Sequence, residues 1–265
     1  MRYDGFVSSP RIVQTGSGRV RPLLLVFHTS ERHDAALRSA MGPSALIVSD
    51  TTPGSTYGDT PPLATTVASL KDRFGVQRFA PTIVAGFSAG GFATRQILTQ
   101  GGDPDALVIA DGTYASAPSG YAQWKDYAER AKRGQRVMLA SNTSLIVTSS
   151  TWHVLSDITG VTLPLGPSVA NRPAGVPVLY GSGPAVLRQG QLLVFSYPTD
   201  DSPGHEQQAA AALPMMLRQA MTMLASRGAM PGLHMPSARV IGSMAGVGAV
   251  AVIVGVALVA SRRAQ

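Results

Sequence analysis

The chain has no cysteine among its 265 residues. That excludes disulfides, thiolate metal sites and a cysteine nucleophile, and it leaves the redox compartment open. Charge is also sparse, at 14% of residues against about a quarter in an ordinary globular domain. The formal net charge of +7 comes mostly from arginines that stand singly. Arg130, Lys132, Arg133 and Arg136 come nearest to a cluster, and they read as a solvated helix end beside its carbonyl-rich terminus. No nucleic-acid partner is expected from so dispersed a charge. His28 and His33, five apart without a nearby pair of carboxylates, make a poor ligand set, so neither a metal nor a cofactor is expected. The start, Met1-Arg2-Tyr3-Asp4-Gly5-Phe6, lacks the basic-then-apolar order of a signal peptide.

What the chain does have is an apolar fraction of 45%, ample for one well-buried core. It is distributed in short continuous runs: Leu23 to Phe27, Ala45 to Val48, Thr82 to Ala85, Ala106 to Ala110, Val137 to Ala140 and Leu192 to Phe195. Runs of that length without polar alternation suit strands buried on both faces of a parallel sheet. Between them lie helix candidates at Pro61 to Phe74, Gly91 to Gln100, Gly120 to Arg133 and Glu206 to Arg227. In the third, Tyr121, Trp124, Ala128 and Ala131 define one apolar face, and Gly134 stands at the C-terminal cap. Strand and helix in alternation predict an α/β fold, a mostly parallel sheet with helices on both faces. Tyr3 to Val7 and Arg11 to Gln14 form one short hairpin at most. Leu163 to Gly190, with five prolines and five glycines, holds no helical period and reads as a long excursion, a lid or a surface loop or hairpin.

The segment richest in chemistry is Thr82-Ile83-Val84-Ala85-Gly86-Phe87-Ser88-Ala89-Gly90-Gly91. An apolar run enters a G-x-S-x-G pentapeptide, and a helix-compatible stretch from Phe92 to Leu98 follows, which is the context a nucleophile elbow requires. Gly86 and Gly90 flank Ser88 with the small residues so tight a turn needs. The serine follows the third apolar run, the next run ends in Asp111, and a histidine comes after the last run. In that order of elements the chain from Pro22 to Arg227 resembles the α/β-hydrolase superfamily of serine hydrolases.

The resemblance implies a serine, acid, histidine order along the chain. A serine hydroxyl is a weak nucleophile until a histidine takes its proton and a carboxylate orients that histidine. Ser88 is the expected nucleophile and His205 the expected base, carried by the loop Pro198 to Gly204. Asp111 is the preferred acid, at the carboxyl end of the strand after the nucleophile's own. Asp200 and Asp201 remain alternatives, and Asp157 a weaker one. The oxyanion hole is expected from the N–H of Ala89 and from the loop after Phe27, through the N–H of Thr29 or Ser30. Where lipases and esterases often have His-Gly or several glycines, this chain has His28-Thr29, and His28 is expected to pack at the strand end.

From Val240 to Ala260 no charge occurs, and Arg239, Arg262 and Arg263 bracket the run. It is long enough to span a bilayer, while Met230 to Ser237, broken by Pro231, Gly232 and Pro236, reads as a linker. The predicted organisation is therefore a hydrolase-like domain over 1–229, a linker over 230–237 and a single C-terminal transmembrane helix over 238–261, with the side of the membrane left open. Gly242 and Gly246, at G-x-x-x-G spacing, offer a face for self-association. Two functions are then in play: a membrane-anchored serine hydrolase acting on a small-molecule, lipid or peptide acyl substrate, or an inactive scaffold of the same fold for membrane assembly.

Overall fold

The computed structural model describes residues 10–50, 57, 60–114, 121–143, 151–164, 184–199 and 202–228. Eight strands form one sheet: β1 (Arg11–Gln14), β2 (Val20–Phe27), β3 (Leu46–Asp50), β4 (Arg78–Phe87), β5 (Ala106–Ala110), β6 (Val137–Asn142), β7 (Ala185–Gln189) and β8 (Leu192–Ser196). Their spatial order is β1-β3-β2-β4-β5-β6-β8-β7. The six interior strands are mutually parallel, and the outer two pair antiparallel.

Helices cover both faces, and the strands show why. Along β2, Leu23, Leu25 and Phe27 pack on one side, with the buried faces of α2 (Leu63–Phe74), α3 (Gly90–Thr99), α4 (Ala122–Lys132) and α5 (Thr151–Thr159). Leu24 and Val26 pack on the other, with α1 (Asp34–Met41) and α7 (Leu213–Ser226). A period of two with both faces buried produces the unbroken apolar runs in the sequence. Each such Leu, Ile or Val, wholly removed from water, contributes about 1.5–3 kcal/mol relative to exposure.

The six apolar runs fall on the six parallel strands, Ala45 alone standing one residue outside its strand, and four of the seven helices fall close to the expected spans. On α4, Trp124, Tyr127, Ala128 and Ala131 are buried, and Gly134, at φ 76°, closes the helix with its N–H on the Ala131 carbonyl. Three elements differ from expectation, and one settles an alternative. Arg11 to Gln14 pairs with β3, far along the chain, while Tyr3 to Val7 lies outside the described residues. Helix α1 went unrecognised because its buried set is only Leu37, Ala40 and Met41, too few to stand out as a period. The end of the Pro- and Gly-rich excursion takes the hairpin form among the alternatives, with the edge strand β7 pairing antiparallel with β8.

The third difference concerns the C-terminal helix, which starts at Ser202 and not near Glu206. It runs as α6 (Ser202–Gln207), a π-helical turn (Gln208–Ala212) and then α7. Pro203 sits in its first turn, where the missing N–H has no helical partner to lose. His205 is thereby mounted on a helix rather than on a loop. Among the described residues no helix is long and apolar enough to cross a membrane, and the run Val240 to Ala260 lies outside them.

Candidate active site

The parallel register brings the site together. Phe87 of β4 pairs with Ala110 of β5, and Ala110 with Ser141 of β6, so Ser88 and Asp111 leave adjacent strands at the same level. Backbone bonds continue the ladder one step further: the Ser88 N–H donates to the Ala110 carbonyl and the Asp111 N–H to that of Ser141, each at 3.0 Å. Three non-glycine residues adopt positive φ among the described residues: His28 at 64°, Ser88 at 49° and Asp111 at 46°. All three follow the carboxyl ends of neighbouring strands. Conformations of this kind cost about 1–3 kcal/mol each and persist where the surroundings over-determine them.

Close packing of glycines explains how the turn at Ser88 holds. A Cβ at Gly86 would lie 2.7 Å from the Gly90 carbonyl oxygen, and one at Gly90 would lie 2.4 Å from that of Phe27. Helix α3 therefore sits directly on β2 and β4, with its N-terminus at Ser88. A Cβ at Gly91 would come within 1.6 Å of the Gly112 carbonyl oxygen, so the turn after Asp111 also rests against this helix.

Ser88, His205 and Asp111 form an unbroken hydrogen-bonded chain. His205 Nε2 lies 2.9 Å from Ser88 Oγ, and His205 Nδ1 lies 2.7 Å from Asp111 Oδ2. A carboxylate only accepts, so Nδ1 carries the ring proton and Nε2 accepts from the serine hydroxyl. Asp111 is wholly buried. Its carboxylate also accepts from the Thr143 N–H at 3.0 Å, from Thr151 Oγ1–H at 3.0 Å and from the Thr143 hydroxyl. The His205 ring lies against the Phe87 ring, with centroids 4.9 Å apart. One turn on, Gln208 begins the π-helical turn and accepts a 2.7 Å bond from Ser141 Oγ–H, tying the histidine's helix to β6.

Ala89 is the N-cap residue of α3, where a backbone N–H has no carbonyl four residues back within the helix. Thr29 is buried after β2, its hydroxyl 3.0 Å from Ser49 Oγ. The alternative donor, the Ser30 N–H, is engaged by His33 Nδ1 at 3.2 Å. His28 packs near the site, its ring 6.0 Å from that of Phe87 and its Nδ1 3.4 Å from the Tyr57 hydroxyl. Burial lowers its pKa, with nearby His205 acting in the same direction and Glu206 opposing. Asp157 pairs with Lys125 at 3.5 Å, whereas Asp200 and Asp201 lie outside the described residues, as do Gly242 and Gly246. No metal-binding cluster occurs among the described residues.

The basic residues at the end of α4 and just beyond it are largely compensated. Arg130 and Arg136 both bind Asp103, and Lys132 binds Glu129 at 2.6 Å. Tyr114, by contrast, belongs to the site and was not anticipated. Its hydroxyl lies 3.2 Å from Ser88 Oγ. The signal was its place three residues past Asp111, on a turn leaving the carboxyl edge of the sheet, but a neutral phenol belongs to no serine, acid, histidine pattern.

A parallel sheet with this crossover order, a serine elbow between its central strand and a helix, and an acid and histidine arriving from later strands together decide the architecture. The fold is that of the α/β hydrolases. No protein-family model matches the chain, and no curated protein matches it in sequence. Among solved structures, a likeness is found to a thermophilic esterase from Thermogutta terrifontis, at 13% identity and TM-score 0.42, over 85% of this chain and 98% of that one. Est1E from Butyrivibrio proteoclasticus is similar at 10% identity and TM-score 0.41, over 82% and 93% of the two chains. TT1662 from Thermus thermophilus is similar at 16% identity and TM-score 0.40, over 83% and 98%. These are distant likenesses of shape; strand order and elbow are what make this chain an α/β hydrolase in fold.

Proposed function

We propose that the chain is a serine hydrolase that cleaves an ester or amide through an acyl-enzyme. The observation that carries this reading is the continuous hydrogen-bonded chain from Asp111 through His205 to Ser88. In the proposed reaction Ser88 Oγ attacks the carbonyl carbon while His205 Nε2 takes the hydroxyl proton. Asp111 stabilises the resulting imidazolium and holds its Nδ1–H. The N–H groups of Ala89 and Thr29 receive the developing oxyanion, the former aided by the positive end of the α3 dipole. Collapse expels the leaving group with the proton from Nε2. A water then repeats the sequence on the acyl-serine, releasing the acid.

The substrate class is an acyl compound, whether small molecule, lipid or peptide. The uncharged run Val240 to Ala260 supports placing the enzyme on a membrane through its C-terminus. Reaction with a fluorophosphonate probe tests the catalytic reading, because the probe captures a serine only where a base activates it. Wild-type protein is expected to carry the label on Ser88, and Ser88→Ala and His205→Ala to carry none. A folded wild-type protein that stays unlabelled would instead be a scaffold without activity.

A further inference from the structure

Tyr114 is placed with more care than a surface phenol needs. Its ring stacks on Phe92 of α3, with centroids 5.3 Å apart and planes 21° from parallel. Its carbonyl accepts a 3.0 Å bond from Arg95, and its N–H donates to the Gly112 carbonyl at 2.8 Å, closing a tight turn directly after Asp111. The result is a hydroxyl held 3.2 Å from Ser88 Oγ. Since the serine hydroxyl gives its proton to His205, the remaining lone pair of Oγ is what Tyr114 can reach, and the phenol is the donor. Burial keeps it one, pushing its pKa up to about 12.

From this geometry we infer that Tyr114 is a catalytic hydrogen-bond donor to Ser88 Oγ that serves the second half of the reaction, the departure of Oγ from the acyl-enzyme. The inference rests on the serine-hydrolase reading. It depends on where the bond changes strength, because only an interaction stronger in the transition state than in the ground state accelerates a step. During acylation the bond is already made in the resting enzyme, so it largely cancels. In the acyl-enzyme Oγ is an ester oxygen, a weak acceptor. When the attacking water has passed its proton to His205 Nε2 and the tetrahedral adduct collapses, the carbon–Oγ bond breaks and its electron pair goes to Oγ. The proton on Nε2 then neutralises Oγ and the carboxylic acid departs. The Tyr114 O–H stays intact and strengthens its bond as charge appears on Oγ. It lies on the β5 side of Ser88, whereas Thr29 lies on the β2 side, so it serves this oxygen rather than the carbonyl oxygen.

Tyr114→Phe removes the donor and keeps the ring that stacks on Phe92. With p-nitrophenyl acetate, an activated ester whose hydrolysis is limited by deacylation, kcat is expected to fall about tenfold, the worth of one hydrogen bond to a developing charge. KM should fall by a similar factor and kcat/KM, which reports acylation, should stay within about twofold. The initial burst should approach one equivalent, with acetyl-Ser88 detectable by mass spectrometry, and fluorophosphonate should label Ser88 at the wild-type rate. Equal loss in kcat and kcat/KM, or no change in either, overturns the role. An unfolded Tyr114→Phe protein, detected by circular dichroism, would make the tyrosine structural and overturn it too. Wild-type protein that fluorophosphonate does not label removes the hydrolase reading itself, and the role of Tyr114 with it.

Discussion

Replacing Asp111 by Asn changes one atom and should nearly abolish turnover. The carboxylate accepts four hydrogen bonds: two at Oδ1, from the Thr143 N–H and Thr151 Oγ1–H, and two at Oδ2, from the Thr143 hydroxyl and His205 Nδ1–H. An Asn side chain can keep its oxygen at the Oδ1 position, which leaves an NH2 facing His205. That group can only donate, so Nδ1 must become the acceptor and the ring proton must move to Nε2. The histidine then presents a donor to Ser88 Oγ where it needs to present a lone pair. A tautomer error of this kind lowers kcat by about ten-thousand-fold, which corresponds to about 5.5 kcal/mol of transition-state stabilisation.

The stability cost should be much smaller. Asn tolerates the positive φ of 46° at this position almost as well as Asp. The loss is confined to the mismatched pairings at Oδ2, about 1–3 kcal/mol, or a few degrees in Tm. The assay is therefore steady-state hydrolysis of a p-nitrophenyl ester together with calorimetric melting of both proteins. An Asp111→Asn enzyme that keeps a tenth or more of wild-type kcat would refute the reasoning, and Asp200 or Asp201 would become the acid to test.

Three other outcomes follow from different parts of the molecule. Gly91→Ala places a methyl 1.6 Å from the Gly112 carbonyl oxygen, so α3 and the Asp111 turn must separate by more than 1 Å. A displacement of that size is expected to cost about a hundredfold in kcat/KM and to lower Tm, and activity within threefold of wild type would show that the two elements can part freely. Asp103 has its carboxyl pKa lowered chiefly by the Arg136 hydrogen bond, with Arg130 adding and burial opposing. A depressed folded-state pKa means that the contribution is present above the ordinary carboxylate range and lost as pH falls through the folded value. Asp103→Asn should accordingly melt below wild type at pH 7, the gap closing as acidification protonates the folded-state carboxyl, and a gap that acid leaves unchanged would deny the ion pairs any role. Full-length protein should pellet with membranes and resist alkaline carbonate, while the chain truncated after Gly228 should remain soluble and active on a soluble ester; full-length protein that carbonate releases is not anchored by Val240 to Ala260.

The strands and the elbow were legible in the sequence because each depends on short-range chemistry, whereas the serine, acid, histidine order came only with the family resemblance. Continuous apolar runs such as Ala106 to Ala110 can be buried only on both faces of a sheet, and Gly86-Phe87-Ser88-Ala89-Gly90 is small where a strand must turn at once into a helix. Tertiary structure decided what depended on distance between remote segments. Asp111 and His205 are 94 residues apart and Ser88 and His205 are 117 apart. Which carboxylate reaches the histidine is therefore a matter of strand register and of a helix that begins at Ser202, before the sequence signals one. Tyr114 and Gly91 acquire their importance only because parallel pairing of β4 with β5 sets the Asp111 turn against the first turn of α3. Local pattern determines which elements form, whereas the contacts between their ends arise only when the sheet is assembled.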